Sequence, residues 1–528
     1  MEELLFALLV WIGRLIAKAY RRLRSFIQGR RAEVEWSREA RSGAGRAAPV
    51  PAPAPDPYRA QREAVSIGVS RLGERVESLG RELQAFPHSA LIGRALRNEV
   101  ARWVEEAGQF ISQQPPGAAG AVGLERAAER LDQLERLVEV MGWMAAVRRQ
   151  DQDRSLEAAD RLAAALYGPL ASATLGEGGS EVLMPEPLAI RDDGSLLPRG
   201  LLGRSSLATL ALPRAFPADP LHFAFIAHEI GQDLLHRAPG FRWELRNRLG
   251  LPDRYPVPFM FRGYYGSEEI YQPWGAWLEV CFGDLVGALL LGPAYGWALL
   301  SVLARPDAPD HVAQIRTSRD GAFYLRHPPP HLRMVFVRGA LGAMGFDEAA
   351  ERIGARWGEL HAGGPQALYL PSRLQGLMGA PLGPFEQVAW RLAEVLAEEP
   401  FESLGGQGLA QMEGVALSSW QQERAEALGE QLSGGVEAAE PDQRLRLAAA
   451  ILARARGAAR AERLSRWLLS GALPEAKERQ AERSEPSARP VRAPSKEPLA
   501  VLVRDALVLD AILARRAFGE PLPARWRP

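Results

Sequence analysis

Residues 219–236 read DPLHFAFIAHEIGQDLLH, and three of them could do chemistry together. His228 and Glu229 are neighbours, and Gln232 follows His228 by four residues. On an α-helix, side chains four apart stand one turn apart on one face. That spacing lets two side chains share a metal ion. An imidazole such as that of His228 is a common metal ligand. Gln232 departs from this scheme, because a neutral amide oxygen is a weak zinc ligand beside an imidazole. His236 lies two turns beyond His228, about 12 Å along the helix axis. It cannot replace Gln232 on the same ion without a bend.

Two later segments could complete such a site. In WLEVCFGDLVGALLLGPAY, residues 277–295, Glu279 and Asp284 are the only acids in an apolar stretch. A buried carboxylate is costly without a partner, so a metal, a histidine or an arginine should stand beside each of them. Asp284 could bind metal directly or orient His228 through a hydrogen bond. The segment RHPPPHLRMVFVRGAL, residues 326–341, then supplies His327 and Arg333.

Taken in this order, the three segments resemble the gluzincin-type zinc metallopeptidases. Within these, the group of CAAX-prenyl-type and heat-shock membrane metallopeptidases is similar. The resemblance spans roughly residues 205–345, and His327, Pro328, Pro329 and Arg333 match that group's Thr-His-Pro-Pro-x-x-x-Arg segment. It implies a zincin-like core in which His228 and the acidic helix hold zinc (through Glu279 or Asp284) and Glu229 is the general base. Two positions depart from the group's pattern. Gln232 stands where the second histidine should be. Val280 stands where the acidic helix should carry glutamate, with Glu279 one residue early, about 100° round the helix. An active site of this class needs three protein ligands and an open fourth position. The expectation is therefore a degenerate site with poor zinc retention and little hydrolysis, used for binding or as a scaffold. The alternative is an active zinc endopeptidase with a variant ligand set, completed by a rescuing histidine such as His236 or His327. A third reading makes the resemblance accidental and leaves a helical, membrane-associated protein.

The elements that must position these residues are mostly helical. Asp219 is a good N-cap and Pro220 a good first residue for the His-Glu helix, whose many apolar positions make it mostly buried. Before it, residues 181–213 hold short β-like runs (EVLM, PLAI, SSLATLAL) broken by turn signals. The acidic helix should break at Gly292–Pro293. Residues 58–170 read as a helical region. Leu124, Ala127, Leu131, Leu134, Val138, Met141 and Ala145 keep a three-four spacing there, as in a bundle helix or a coiled-coil seam. A further helix from Ser155 should stop at Gly168. The fold class is thus mainly α with a small β element, a zincin-like α+β core at 181–380 flanked by helices at 58–170 and 381–473. His331, after three prolines, reads as a helix cap, and His361 as a surface or loop residue.

The ends have a different character. Residues 1–31 open with an apolar stripe that includes Leu4, Leu8, Trp11 and Ile12, interrupted by Arg14 and Lys18 and followed by arginines. The uninterrupted run is about half of the roughly 20 residues that span a bilayer. The segment reads as an amphipathic helix lying on a membrane with a basic flank. A short spanning anchor, or a helix packed on a partner protein, are the other readings. A proline- and alanine-rich linker follows at 32–57. Residues 474–497 form a second linker, disordered by composition, and 498–528 a last helix. Lys+Arg and Asp+Glu number 64 each, so there is no electrostatic case for nucleic acid. The partners expected are a membrane surface at the N-terminus and other proteins at the helical flanks, at the cytoplasmic face of a membrane or in the cytoplasm. Cys281 is the only cysteine, so any metal here must take His, Asp or Glu.

Overall fold

The computed structural model describes residues 59–84, scattered helical positions between 128 and 148, and 154–174, 186–191, 207–251 and 267–472, the last two with short gaps. The N-terminal helix, both linkers and the C-terminal helix lie outside the described residues. The chain is mainly helical, with two small sheets. In chain order the elements are α1 (Arg59–Gln84), α2 (Ser155–Thr174), β1 (Glu186–Arg191), β2 (Leu207–Leu212), α3 (Ala224–Arg237), α4 (Phe241–Arg248), α5 (Ser267–Leu291), α6 (Pro293–Leu303), α7 (Pro330–Ala343) and α8 (Asp347–Leu360). Then follow β3 (Ala367–Ser372), β4 (Gly376–Pro381), α9 (Leu382–Glu398), α10 (Ser419–Ser433), α11 (Gln443–Ala455) and α12 (Ala461–Ala472).

The β element is slight. β1 and β2 pair in parallel, Glu186 opposite Leu207 and Arg191 opposite Leu212. β3 and β4 form an antiparallel hairpin. Parallel strands have both faces covered, and Leu188, Ile190, Ala208 and Leu210 are accordingly buried.

The helix boundaries show where tertiary packing overrides local propensity. Asp219 does cap, accepting a hydrogen bond from the Leu221 N–H at 3.0 Å. The first turn, Pro220–Phe223, is a 3-10 turn that runs straight into α3. α2 passes through Gly168 and Pro169 to Thr174 instead of stopping. Leu166, Tyr167 and Leu170 are buried there, and their burial offsets the cost of a proline inside the helix.

α5 packs against α3, α6, α7, α9 and α11. Its stretch Pro273–Leu291 is long and apolar enough to cross a membrane, yet all of it is buried inside the protein. It ends at the Gly292–Pro293 break, where Gly292 has φ 56°. α3 crosses α5 at very close range, because both contribute glycine at the crossing. A Cβ on Gly231 would lie 2.8 Å from the Gly283 Cα, and a Cβ on Gly283 would lie 2.8 Å from the His228 ring. Only paired glycines allow that approach, and it brings His228 against the middle of α5.

One hydrophobic core runs from α2 through α12, so the helices after 381 pack with the 181–380 stretch instead of standing apart from it. Arg444 of α11 is the polar counterpart of that packing. Its buried guanidinium donates to the carbonyls of Leu290 (2.5 Å), Leu289 (3.3 Å), Gly414 (2.7 Å) and Val415 (2.9 Å). These take up the last carbonyls of α5, which an α-helix leaves unsatisfied. With no carboxylate bonded to it, burial brings this guanidinium down to about 10.

A buried polar cluster as the candidate functional site

α3 and α5 run antiparallel, so the His228 face of α3 meets α5 in reverse order. His228 reaches Asp284 at one end of this seam and His236 reaches Glu279 at the other. Gln232 lies between them on α3, and all five side chains are mostly buried.

Asp284 is wholly buried and holds the cluster together. Its Oδ1 accepts from Tyr295 Oη at 2.6 Å and Arg333 Nη2 at 2.6 Å, and its Oδ2 accepts from Arg333 Nε at 2.8 Å. His228 Nδ1 stands 2.9 Å from Oδ1. Burial alone would raise the Asp284 carboxyl, but the charge and hydrogen bonds of Arg333, with those of His228 behind them, hold it well below the usual carboxylate range. Burial would likewise lower the Arg333 guanidinium, and Asp284 more than reverses this. For Tyr295, burial and then the Asp284 charge push the hydroxyl up, so it stays protonated and donates. Its ring fits because Gly287 has no side chain; a Cβ there would lie 2.4 Å from the Tyr295 ring.

These bonds decide the state of His228. Nδ1 is also in hydrogen-bond contact with Tyr295 Oη at 3.2 Å; that hydroxyl gives its own proton to Asp284 and a carboxylate only accepts, so Nδ1 carries the proton. In the neutral ring Nε2 then has a lone pair, and the Gln232 amide nitrogen is in hydrogen-bond contact with it. An N–H of the amide thus occupies the direction in which a metal would bind. Glu229 is engaged elsewhere. Its Oε2 accepts from the Ala211 N–H of β2 at 2.9 Å, so the residue expected as general base links α3 to the strand.

The other expected site residues are dispersed. Glu279 lies 3.2 Å from His236 Nε2, within ion-pair reach although not aligned as a hydrogen bond. His327 is exposed just before α7. His331 and His361, read as a cap and a loop residue, are both buried instead. The structure therefore brings together His228, Gln232, Asp284 and Arg333 but places Glu279 with His236. Sequence reasoning missed Tyr295; the signal was a lone phenol in an otherwise apolar helix. It also missed Tyr167, whose hydroxyl donates to Asp233 at 2.7 Å while Asp233 accepts from Arg237 at 2.8 Å.

A tetrahedral zinc site needs at least three protein ligands at about 2 Å. Among the described residues, no three His, Cys, Asp or Glu side chains are grouped to hold a metal. His228 offers one nitrogen, and that nitrogen faces an amide donor; Asp284 has both oxygens taken by donors. The residues as arranged do not fit zinc. What the cluster can do is neutralise a buried charge and fix α3, α5, α6 and α7 to one another.

Asp284→Ala should therefore lose about 3–5 kcal/mol in denaturant unfolding, because it leaves the Arg333 charge buried and uncompensated. Replacing both residues by apolar ones should cost much less. The pH dependence has a definite sign. The folded carboxyl lies below its unfolded value, so its stabilisation is complete above about pH 4 and is lost as pH falls below that. An Asp284→Asn protein should lack this acid slope. Comparison with family models, with curated proteins and with solved structures finds no match to the chain.

Proposed function

We propose that this chain is a membrane-associated, zincin-like protein whose metallopeptidase site is degenerate, and that it works as a binding or scaffold module. The observation that carries this reading is the Gln232 amide set against His228 Nε2, with Nδ1 committed to Asp284. In the peptidase arrangement that nitrogen belongs to zinc. Here a hydrogen bond between neighbouring turns of one helix replaces a metal bond, and the orienting carboxylate is kept. Val280, buried on α5, stands at the position from which the resemblance expects a third ligand. Glu229 serves as an acceptor for β2, a role that needs no metal.

The proposed location is the cytoplasmic face of a membrane, reached by residues 1–31, with protein partners on the helical flanks. It rests on the N-terminal stripe of Leu4, Leu8, Trp11 and Ile12 with Arg14, Lys18 and the arginines after them.

Zinc content tests the first part. The purified full chain should carry far less than one zinc, and Gln232→His combined with Val280→Glu should raise this toward about one per chain. About one zinc per wild-type chain, lost in His228→Ala, would restore the enzyme reading. Co-sedimentation with vesicles tests the second part. The full chain should bind vesicles rich in anionic lipid and release at high salt, and removal of residues 1–31 should abolish binding. Equal binding without that segment would exclude it as the anchor.

A further inference from the structure

A second buried cluster lies away from the Asp284 site, where α7, α8 and α9 meet. His331, in the first turn of α7, is bonded through both ring nitrogens. The Trp357 indole Nε1–H of α8 donates to His331 Nδ1 at 3.1 Å. His331 Nε2 stands 2.7 Å from Glu386 Oε1 of α9. An indole N–H can only donate and a carboxylate can only accept, so Nδ1 must hold a lone pair and Nε2 the proton. The ring in this arrangement is neutral and in one tautomer. A second proton would have to go on Nδ1, where it would point at the indole N–H.

His361 sits on the other side of the same indole. Its ring centroid is 4.2 Å from that of Trp357. The residue is buried, yet neither ring nitrogen has a hydrogen-bond partner. A neutral imidazole in that position leaves one donor and one acceptor unsatisfied, and a charged one leaves two donors. Water would satisfy both if the end of α8 moved away.

The charged groups of this joint gather round His331. Among the described residues Glu386 is the acid on α9 that faces His331, and it also lies near Arg338 of α7. Arg338 donates to the Ala350 carbonyl of α8, and Glu351 of α8 lies near it. α6, which also packs on α7 and α8, carries no Asp, Glu, Lys, Arg or His. Asp284 of α5 and Arg333 of α7 neutralise each other.

We propose that this joint is a proton-operated latch: α8 stays docked on α7 while His361 is neutral, and its C-terminal turns release when His361 takes up a proton. Burial, and then the neighbouring His331, lower the His361 imidazole from its usual value of 6.5. The sign follows from that direction. The docked state binds fewer protons than the released state, so docking is complete above about pH 6.5 and weakens as pH falls below it.

Hydrogen exchange of the full chain, corrected for the intrinsic pH effect, tests this. Between about pH 7.5 and pH 5.5 the amides of Gly354–His361 should lose roughly tenfold in protection, the size of one pH unit below the free imidazole value. Those of α10, which has no histidine, should not change. His361→Phe keeps the ring contact without a titrating group and should remove most of the step. Protection at 354–361 that does not change with pH, or falls equally in α10, would overturn the latch. A step of the same size in His361→Phe would overturn it too.

Discussion

The structure depends on one buried charge. Asp284 sits wholly buried in the long apolar stretch Pro273–Leu291 of α5. An isolated carboxylate could not remain ionised there. It does so because donors converge on it from three neighbouring helices: Arg333 from α7, Tyr295 from α6 and His228 from α3. Each donor is held in turn by something the backbone supplies. Gly231 and Gly283 let α3 come close enough for His228, and Gly287 leaves room for the Tyr295 ring. The Gly292 break turns the chain into α6 and so brings Tyr295 back along α5. Buried charges that are paired and hydrogen-bonded on every side fix geometry more than they add stability. Here the geometry fixed is the packing of four helices.

A metal would fix the same helices by other means. In the zincin-like arrangement proposed above, zinc would tie the two helices together, with Asp284 as a ligand or as the residue that orients one. In the structure the Asp284 carboxylate and its donors join these helices directly. The nitrogen that would face a metal instead meets an amide of its own helix. Nothing in this arrangement needs Glu229 as a base, and its carboxylate secures β2 against α3.

Much of this was legible in the sequence, where composition forces a partnership. An acid in an apolar helix needs a cation or a donor, which pointed to Asp284 and to a neighbouring His or Arg. The four-residue spacing of His228 and Gln232 put both on one face, and the Gly292–Pro293 dipeptide marked the break between α5 and α6. Other features depend on contacts distant in sequence and left no local trace. Whether Glu279 would face His228 or His236 turned on the antiparallel order of α3 and α5. The burial of His331 depends on Trp357 and on Glu386 of α9, 26 and 55 residues further along the chain. Leu170 and Tyr167 carried α2 past Gly168 and Pro169 because burial outweighed local helix propensity.

The central claim is that a hydrogen bond occupies the His228 nitrogen a metal would take. The nitrogen chemical shifts of that imidazole, in protein labelled selectively at histidine and assigned with His228→Gln, report it directly. The account requires a neutral ring with its proton on Nδ1 and a hydrogen-bonded lone pair on Nε2, unchanged by an added equivalent of zinc. A shift of Nε2 to the metal-bound range on adding zinc would contradict the account.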